Sequence, residues 1–303
     1  MFLKAAFKNA PVYVQVLMLV TVIFFGMLLS ALLVFLLMLF KMGAEMSPEM
    51  LKDFQLTNYP DLLRGSQFFQ TLGIFLFPSV VCAWLFSDNY KEYLGVDQPI
   101  HLPAAVWAII SMIAAVPFLN WTYALNQQMA LPESLKGLET WMKEVEAEAA
   151  RITELLLNTK NISMIVFNVL IICVVAGVCE EFMFRGLLQT FFGRLIRNPH
   201  AVIWTIAILF SAIHFQFYGF ITRMLLGAWL GYLMYYTKTL WIPILAHFTN
   251  NFFSVGEYYL FQNSPDKIRE IDAIGSGSTW WLSIASLALF FFCFTQIKKA
   301  VAR

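Results

Sequence analysis

The chain has 303 residues, 60% of them hydrophobic, 17% aromatic and 13% charged, with a formal net charge of +1. A soluble domain carries about a quarter charged residues and roughly half apolar ones; this composition therefore excludes an ordinary soluble globule, and the small net charge excludes the strongly basic surface that nucleic acid requires. Mean hydropathy is +0.69, and apolar runs of about 20 residues, enough to cross ~30 Å of hydrocarbon, recur along the chain. The expected fold class is all-α: a polytopic transmembrane helical bundle in a lipid bilayer, because spans must satisfy their backbone polar groups internally.

Lys4 and Lys8 precede an apolar stretch from Val12 to Phe40. It is too long for a signal-peptide core and lacks a small-residue cleavage site, so it reads as an uncleaved first span. A polar insertion with mixed charges, Pro48 and Pro60 follows at 41–66. Further spans are expected at 67–87 and 103–125. Residues 132–160 read as an amphipathic acidic helix, with Glu133, Glu139, Glu144, Glu146, Glu148 and Glu154 set among Leu, Trp and Val. A solvated surface helix is the plainer reading of that run, and a lid over substrate the alternative. Five more helices are expected at 162–192, 200–215, 219–237, 240–262 and 279–297, about eight spans in all.

Pro103, Pro199, Gly219 and Pro243 mark helix ends. The 200–215 helix is short for a span, and short helices at membrane depth usually line cavities. The mouth of a water-filled cavity is accordingly expected near it, by Gly219 and Gly227. The four cysteines, Cys82, Cys173, Cys179 and Cys293, lie in or beside apolar segments without CxxC spacing and read as small hydrophobes. Lys4/Lys8, Lys91, Arg194/Arg197, Lys238 and Lys298/Lys299/Arg303 alternate with longer acidic connections. The positive-inside rule then puts both termini in the cytoplasm. Compact loops and the lack of a targeting extension point to a bacterial plasma membrane. No internal repeat is present.

An ionisable side chain within a span costs ~2.5–3.5 kcal/mol even on insertion scales, so each is a functional hypothesis. In the 162–192 helix, Glu180, Glu181 and Arg185 fall within six residues of one another. Successive helical residues point about 100° apart, so Glu180 and Glu181 do not share one small pocket. Glu181 and Arg185 stand i,i+4 with the acid first, the favourable order for an ion pair. They read as a structural support, which leaves Glu180 to project elsewhere as a general base with a pKa raised by apolar surroundings.

His214 closes the short helix, and His247 and Asn251 share a face of the 240–262 helix. His101 and His200 sit at polar span ends. Glu180 with His214 can hold and deprotonate a water, while His247 and the Asn251 amide can donate to a developing oxyanion. Ser211 lacks a nucleophile elbow, and Cys179 points away from Glu180. Glu plus two His is also a zinc ligand set, but HExxH is missing and an amide is a poor zinc ligand, so the site is expected to need no metal or other cofactor.

These residues carry a resemblance. Glu180-Glu181-Phe-Met-Phe-Arg185, Phe210-Ser-Ala-Ile-His214 and His247-Phe-Thr-Asn-Asn251 resemble, in order and each on its own helix, the three signatures of the CPBP family of intramembrane glutamic endopeptidases. That group contains the CAAX prenyl endopeptidases and many prokaryotic Abi-type proteins. The resemblance covers residues 162–262 and implies that Glu180 and His214 activate water, that His247 and Asn251 form the oxyanion site, and that Glu181 and Arg185 support it. It divides the chain into N-terminal helices at 1–160 and a catalytic core plus final span at 161–303. The implied partner is a peptide or membrane-protein substrate; oligomeric state is not implied. Two other functions are compatible with the same residues: a non-catalytic binding or regulatory protein, as in bacteriocin immunity, and a transporter, although carrier-like repeat symmetry is missing.

Overall fold

The computed structural model describes residues 3–43 and 54–302, which are helical with no strand among them. Pro48 of the polar insertion and Arg303 lie outside the described residues. In chain order the main helices are α1 (Val12–Met42), α2 (Pro60–Phe86), α3 (Leu102–Gln127), α4 (Lys136–Leu157), α5 (Ile162–Gly193), α6 (Pro199–Ala212), α7 (Phe220–Thr237), α8 (Trp241–Phe261), α9 (Pro265–Asp272) and α10 (Trp280–Val301). Among the described residues, α1, α2, α3, α5 and the tract Pro265–Val301 are long and apolar enough to cross a membrane. The helix α6 is a shorter apolar one. α7 and α8, which carry Arg223, His247, Asn251 and Glu257, fill the two remaining expected ranges with more polar sequence. The chain is thus an integral membrane protein with the architecture of a polytopic helical bundle.

Two compact units make up the chain: residues 1–94 with 152–187, and residues 95–151 with 188–303. This division follows packing, whereas the expected one at residue 160 follows the placement of the motifs. In the first unit α1 packs along α2 where Gly26 meets Gly73; a Cβ on either would run into the other's backbone. Small residues at such a crossing let two helices approach closely, which suits a medium that gives no hydrophobic drive between them. Most of α1 away from this seam stays exposed and apolar, as a lipid-facing helix requires.

Buried Arg64 fastens this unit. Its Nε donates to Asn168 Oδ1 at 2.9 Å and its Nη2 to the Leu156 carbonyl at 2.7 Å, and Asn168 Nδ2 donates to the same carbonyl at 2.6 Å. One guanidinium therefore satisfies the C-terminal end of α4 and pins α5 beside it. The start of α5 is capped by Asn161, whose side chain accepts from the Ser163 N–H at 2.9 Å.

In the second unit α3 packs against α10, α7 and α8. Pro117 interrupts α3 and removes a helical donor. Two serines of α10 restore the balance: Ser286 Oγ donates to the Ala114 carbonyl at 2.5 Å and Ser283 Oγ to the Pro117 carbonyl at 3.0 Å. Side-chain hydroxyls of a neighbouring helix commonly re-satisfy backbone groups freed at a kink. Nearby, Trp229 of α7 donates from Nε1 to Ser111 Oγ at 3.1 Å and packs its ring on Phe290.

Replacing Arg64 by Met keeps the bulk but removes the hydrogen bond to Asn168 Oδ1 and one of the two to the Leu156 carbonyl. At about 1.5–3 kcal/mol for a hydrogen bond to a charged group, the thermal unfolding midpoint of the purified protein in detergent should fall by several degrees. An unchanged midpoint would show that the knot contributes nothing.

Candidate active site

Glu180, Glu181 and Arg185 lie on α5, inside the first unit, where the helix changes its winding twice. Leu170–Val175 and Phe182–Leu188 are π-helical turns, and the short α-helical stretch Ala176–Glu181 is held between them. Such turns often occur at functional sites. No feature of hydrophobic periodicity announced them. Arg185 Nη1 meets Glu181 Oε1 at 2.8 Å, and both side chains are fully buried. The expected i,i+4 pair is therefore present, and the Arg185 guanidinium also lies 5.8 Å from the Phe184 ring centre. Glu180 is only half-buried and does not share the face taken by that pair.

The other three residues belong to the second unit. His214 stands just past α6, where the helix ends because Phe215 adopts a φ of +52°. A bulky residue with positive φ is a genuine outlier, and such positions cluster at functional sites. His214 Nδ1 lies 2.7 Å from the Phe210 carbonyl. A carbonyl can only accept, so Nδ1 carries the proton and, in the neutral ring, Nε2 carries the lone pair. That is the tautomer a base or a water-holding group needs.

His247 is buried on α8. The Phe210 ring touches both imidazoles edge-on, with centroids 5.1 Å from His214 and 6.0 Å from His247. The phenyl group of the second signature therefore spaces the two histidines. Asn251 Oδ1 accepts from Asn250 Nδ2 at 3.2 Å, which turns the Asn251 carboxamide so that its NH2 faces away from Asn250. Ser211 Oγ donates to the Phe220 carbonyl at 2.7 Å and is committed to the backbone. Among the described residues no three His, Cys, Asp or Glu side chains are arranged to hold a metal ion.

The loop after His214 is fixed by residues that carried no sequence signal. Asn126 of α3 donates to the Phe217 carbonyl at 3.1 Å and accepts from the Ile221 N–H at 2.8 Å. Glu146 of α4 accepts from the Tyr218 N–H at 2.9 Å, and Trp141 packs on Phe217 at 5.4 Å. The acidic helix is thus not wholly solvated: one face docks on the segment that follows His214. Only the separation of some 70–95 residues hid these contacts. Gly227, expected by a cavity mouth, instead serves close packing of α7 on α6. A Cβ there would stand 3.1 Å from Phe210 Cδ1 and 3.3 Å from Ala207 Cα.

Two predictions follow from this geometry. Arg185→Leu strands Glu181 in the interior, and breaking a buried pair from one side costs about 3–5 kcal/mol; folded yield should collapse, with partial recovery in the double variant Glu181→Gln/Arg185→Met, read by size-exclusion chromatography in detergent. On α4, outside the spans, hydrogen bonds from Lys143 and Arg151 hold the Glu139 and Glu148 carboxyls below the usual range. An unfolded Glu titrates at about 4.3, so their contribution is whole above that pH and is lost as pH falls through the lower folded values. Protection of α4 from hydrogen exchange should therefore hold from neutral pH to about 5 and decline below about 4.

Residues 162–253 match the family model described as type II CAAX prenyl endopeptidase Rce1-like. The chain is also 31% identical over 101 residues to the uncharacterized protein YpbD of Bacillus subtilis. That stretch is 32% of this chain and 47% of the relative, so the chain spans about half the length of the curated relative it matches. No solved structure matches. The matched residues 162–253 hold Glu180, Glu181, Arg185, His214, His247 and Asn251, so this part of the chain is similar to the CAAX prenyl endopeptidase family.

Proposed function

We propose that the protein is a metal-independent, glutamic-type intramembrane endopeptidase acting on a membrane-associated peptide or protein. The observation that carries this reading is the content of the matched segment: a half-buried carboxylate at Glu180 beside an already neutralised Glu181, and two histidines spaced by one phenyl ring. Arg185 makes its direct ion pair with Glu181, and the half-buried carboxylate next to it takes the role of base.

In this mechanism Glu180 and His214 Nε2 hold a water, and Glu180 takes its proton as the oxygen attacks the scissile carbonyl carbon. A C–O bond forms, and the carbonyl electron pair moves to oxygen. His247 and the Asn251 NH2 donate to that oxyanion, in surroundings where each donor counts for more than it does in water. Collapse of the intermediate breaks the C–N bond, and the proton held by Glu180 passes to the leaving amine. Water is consumed and two peptide ends are released.

Both termini are assigned to the cytoplasm of a bacterial cell. The density of Lys and Arg in the short connections supports this, and the Lys8–Asp88 ion pair puts the N-terminal segment on the same side as the end of α2.

The test compares the membrane proteome of cells carrying wild type with that of cells carrying Glu180→Ala, followed by cleavage of the substrate so found by reconstituted protein. Glu180→Ala and His214→Ala should each lower turnover by about 10²–10⁴-fold, and Asn251→Ala by about 10²–10³-fold, at wild-type expression. A chelator should leave the rate unchanged. Undiminished turnover by Glu180→Ala would sink the assignment, and loss on chelation with recovery on added zinc would replace it by a metalloprotease.

A further inference from the structure

The second unit contains a cavity of about 490 Å³ that none of the six proposed site residues lines. Its walls come from α3, α6, α7 and α10, and are almost wholly apolar: Met112, Ala115, Leu226, Trp229 and Phe290 are representative. Sites that bury a small ligand commonly measure ~300–1,000 Å³, so the volume is that of a binding site and not of a packing defect. Trp204 and Phe291 line it while remaining 37% and 54% exposed, so it opens sideways, where hydrocarbon lies.

One end of this cavity differs from the rest. His200 and Tyr236 are among its lining residues, and they belong to a crown of cations and phenols. His200 Nδ1 lies 3.0 Å from the Tyr232 hydroxyl. Lys298 Nζ stands 5.0 Å from the Tyr236 ring centre and 5.6 Å from that of Phe294, another lining residue. Lys238 Nζ stands 4.4 Å from the centre of Tyr235, which packs on Tyr236. No carboxylate pairs with Lys238 or Lys298 among the described ion pairs, and both lysines are exposed. Their stems lie along aromatic faces with the ammonium groups held at the rim, which is how a long cation behaves at a membrane interface.

We infer that this cavity is a binding site for a single anionic phospholipid, with one acyl chain in the apolar chamber and the headgroup phosphate on Lys238, Lys298 and His200. An apolar chamber alone would accept any greasy chain. The basic rim is what selects a lipid phosphate carrying net negative charge over a zwitterionic headgroup, since each lysine near an anionic surface strengthens association by roughly fivefold. The site lies apart from the proposed catalytic residues, so its occupancy and the peptidase reading stand or fall separately.

The full chain, delipidated in detergent, is titrated with phosphatidylglycerol or phosphatidylcholine and the bound lipids are counted by native mass spectrometry. One phosphatidylglycerol should bind per chain, at least tenfold more tightly than phosphatidylcholine. Lys238→Gln with Lys298→Gln should abolish that preference while leaving an apolar ligand bound. Ala115→Phe, which fills the chamber, should lower binding of both lipids, and Leu287→Trp on half-buried lining serves the same purpose if Ala115→Phe fails to fold. Equal affinity for the two lipids, binding untouched by either filling variant, or retention of a non-lipid molecule in the chamber would overturn the inference.

Discussion

The ion pair of Glu181 with Arg185 is the constraint on which the rest of α5 depends. Both groups are fully buried, and neither charge is tolerable there without the other. The pair locks one face of the helix within a π-helical turn and thereby fixes the direction in which the adjacent Glu180 points. A carboxylate pair beside a single guanidinium is asymmetric by construction: the residue one turn before the arginine makes the direct ion pair, and its neighbour lies on a different face of the helix. The proposed base and its structural support are thus two consecutive residues of the same type.

The same requirement, that no polar group be left in an apolar medium without a partner, organises the remainder of the molecule. Arg64 satisfies the α4 terminus and Asn168 together. Ser283 and Ser286 answer the carbonyls around Pro117. Asn126 supplies both a donor and an acceptor to the turn that follows His214, where the helix has stopped and the backbone has lost its internal partners. Each of these polar side chains serves a break in regular structure. Two of these breaks lie beside a cavity wall or a candidate site residue: Phe118 and Leu119 line the apolar cavity just after Pro117, and the turn held by Asn126 follows His214.

The acidic helix α4 links these themes. Its composition suggested a solvated surface element, and much of it is solvated, with Glu148 and Arg151 paired in the open. Yet Trp141 and Glu146 engage the segment 217–218, three to four residues past His214. The Lys143 ammonium also stands 5.9 Å from the Tyr218 ring centre, and Arg64 secures the other end of the helix, so α4 is held at both the loop and its C-terminus.

The amino-acid sequence by itself determined the helical membrane class, the positions of the helices to within a few residues apart from the early start of α2 and the unexpected α9, the Glu181–Arg185 pair and the identity of the motif residues. These depend on local quantities: apolar run length, i,i+4 spacing, and the rarity of ionisable groups in a span. Only the tertiary structure decided the π-helical turns around Glu180, the His214 tautomer set by the Phe210 carbonyl, the docking of α4, the close seating of Gly227 and the basic-rimmed cavity. Each of these depends on which distant segments come into contact, or on how a helix yields to its neighbours. The spacing of residues along one strand of sequence carries no record of that.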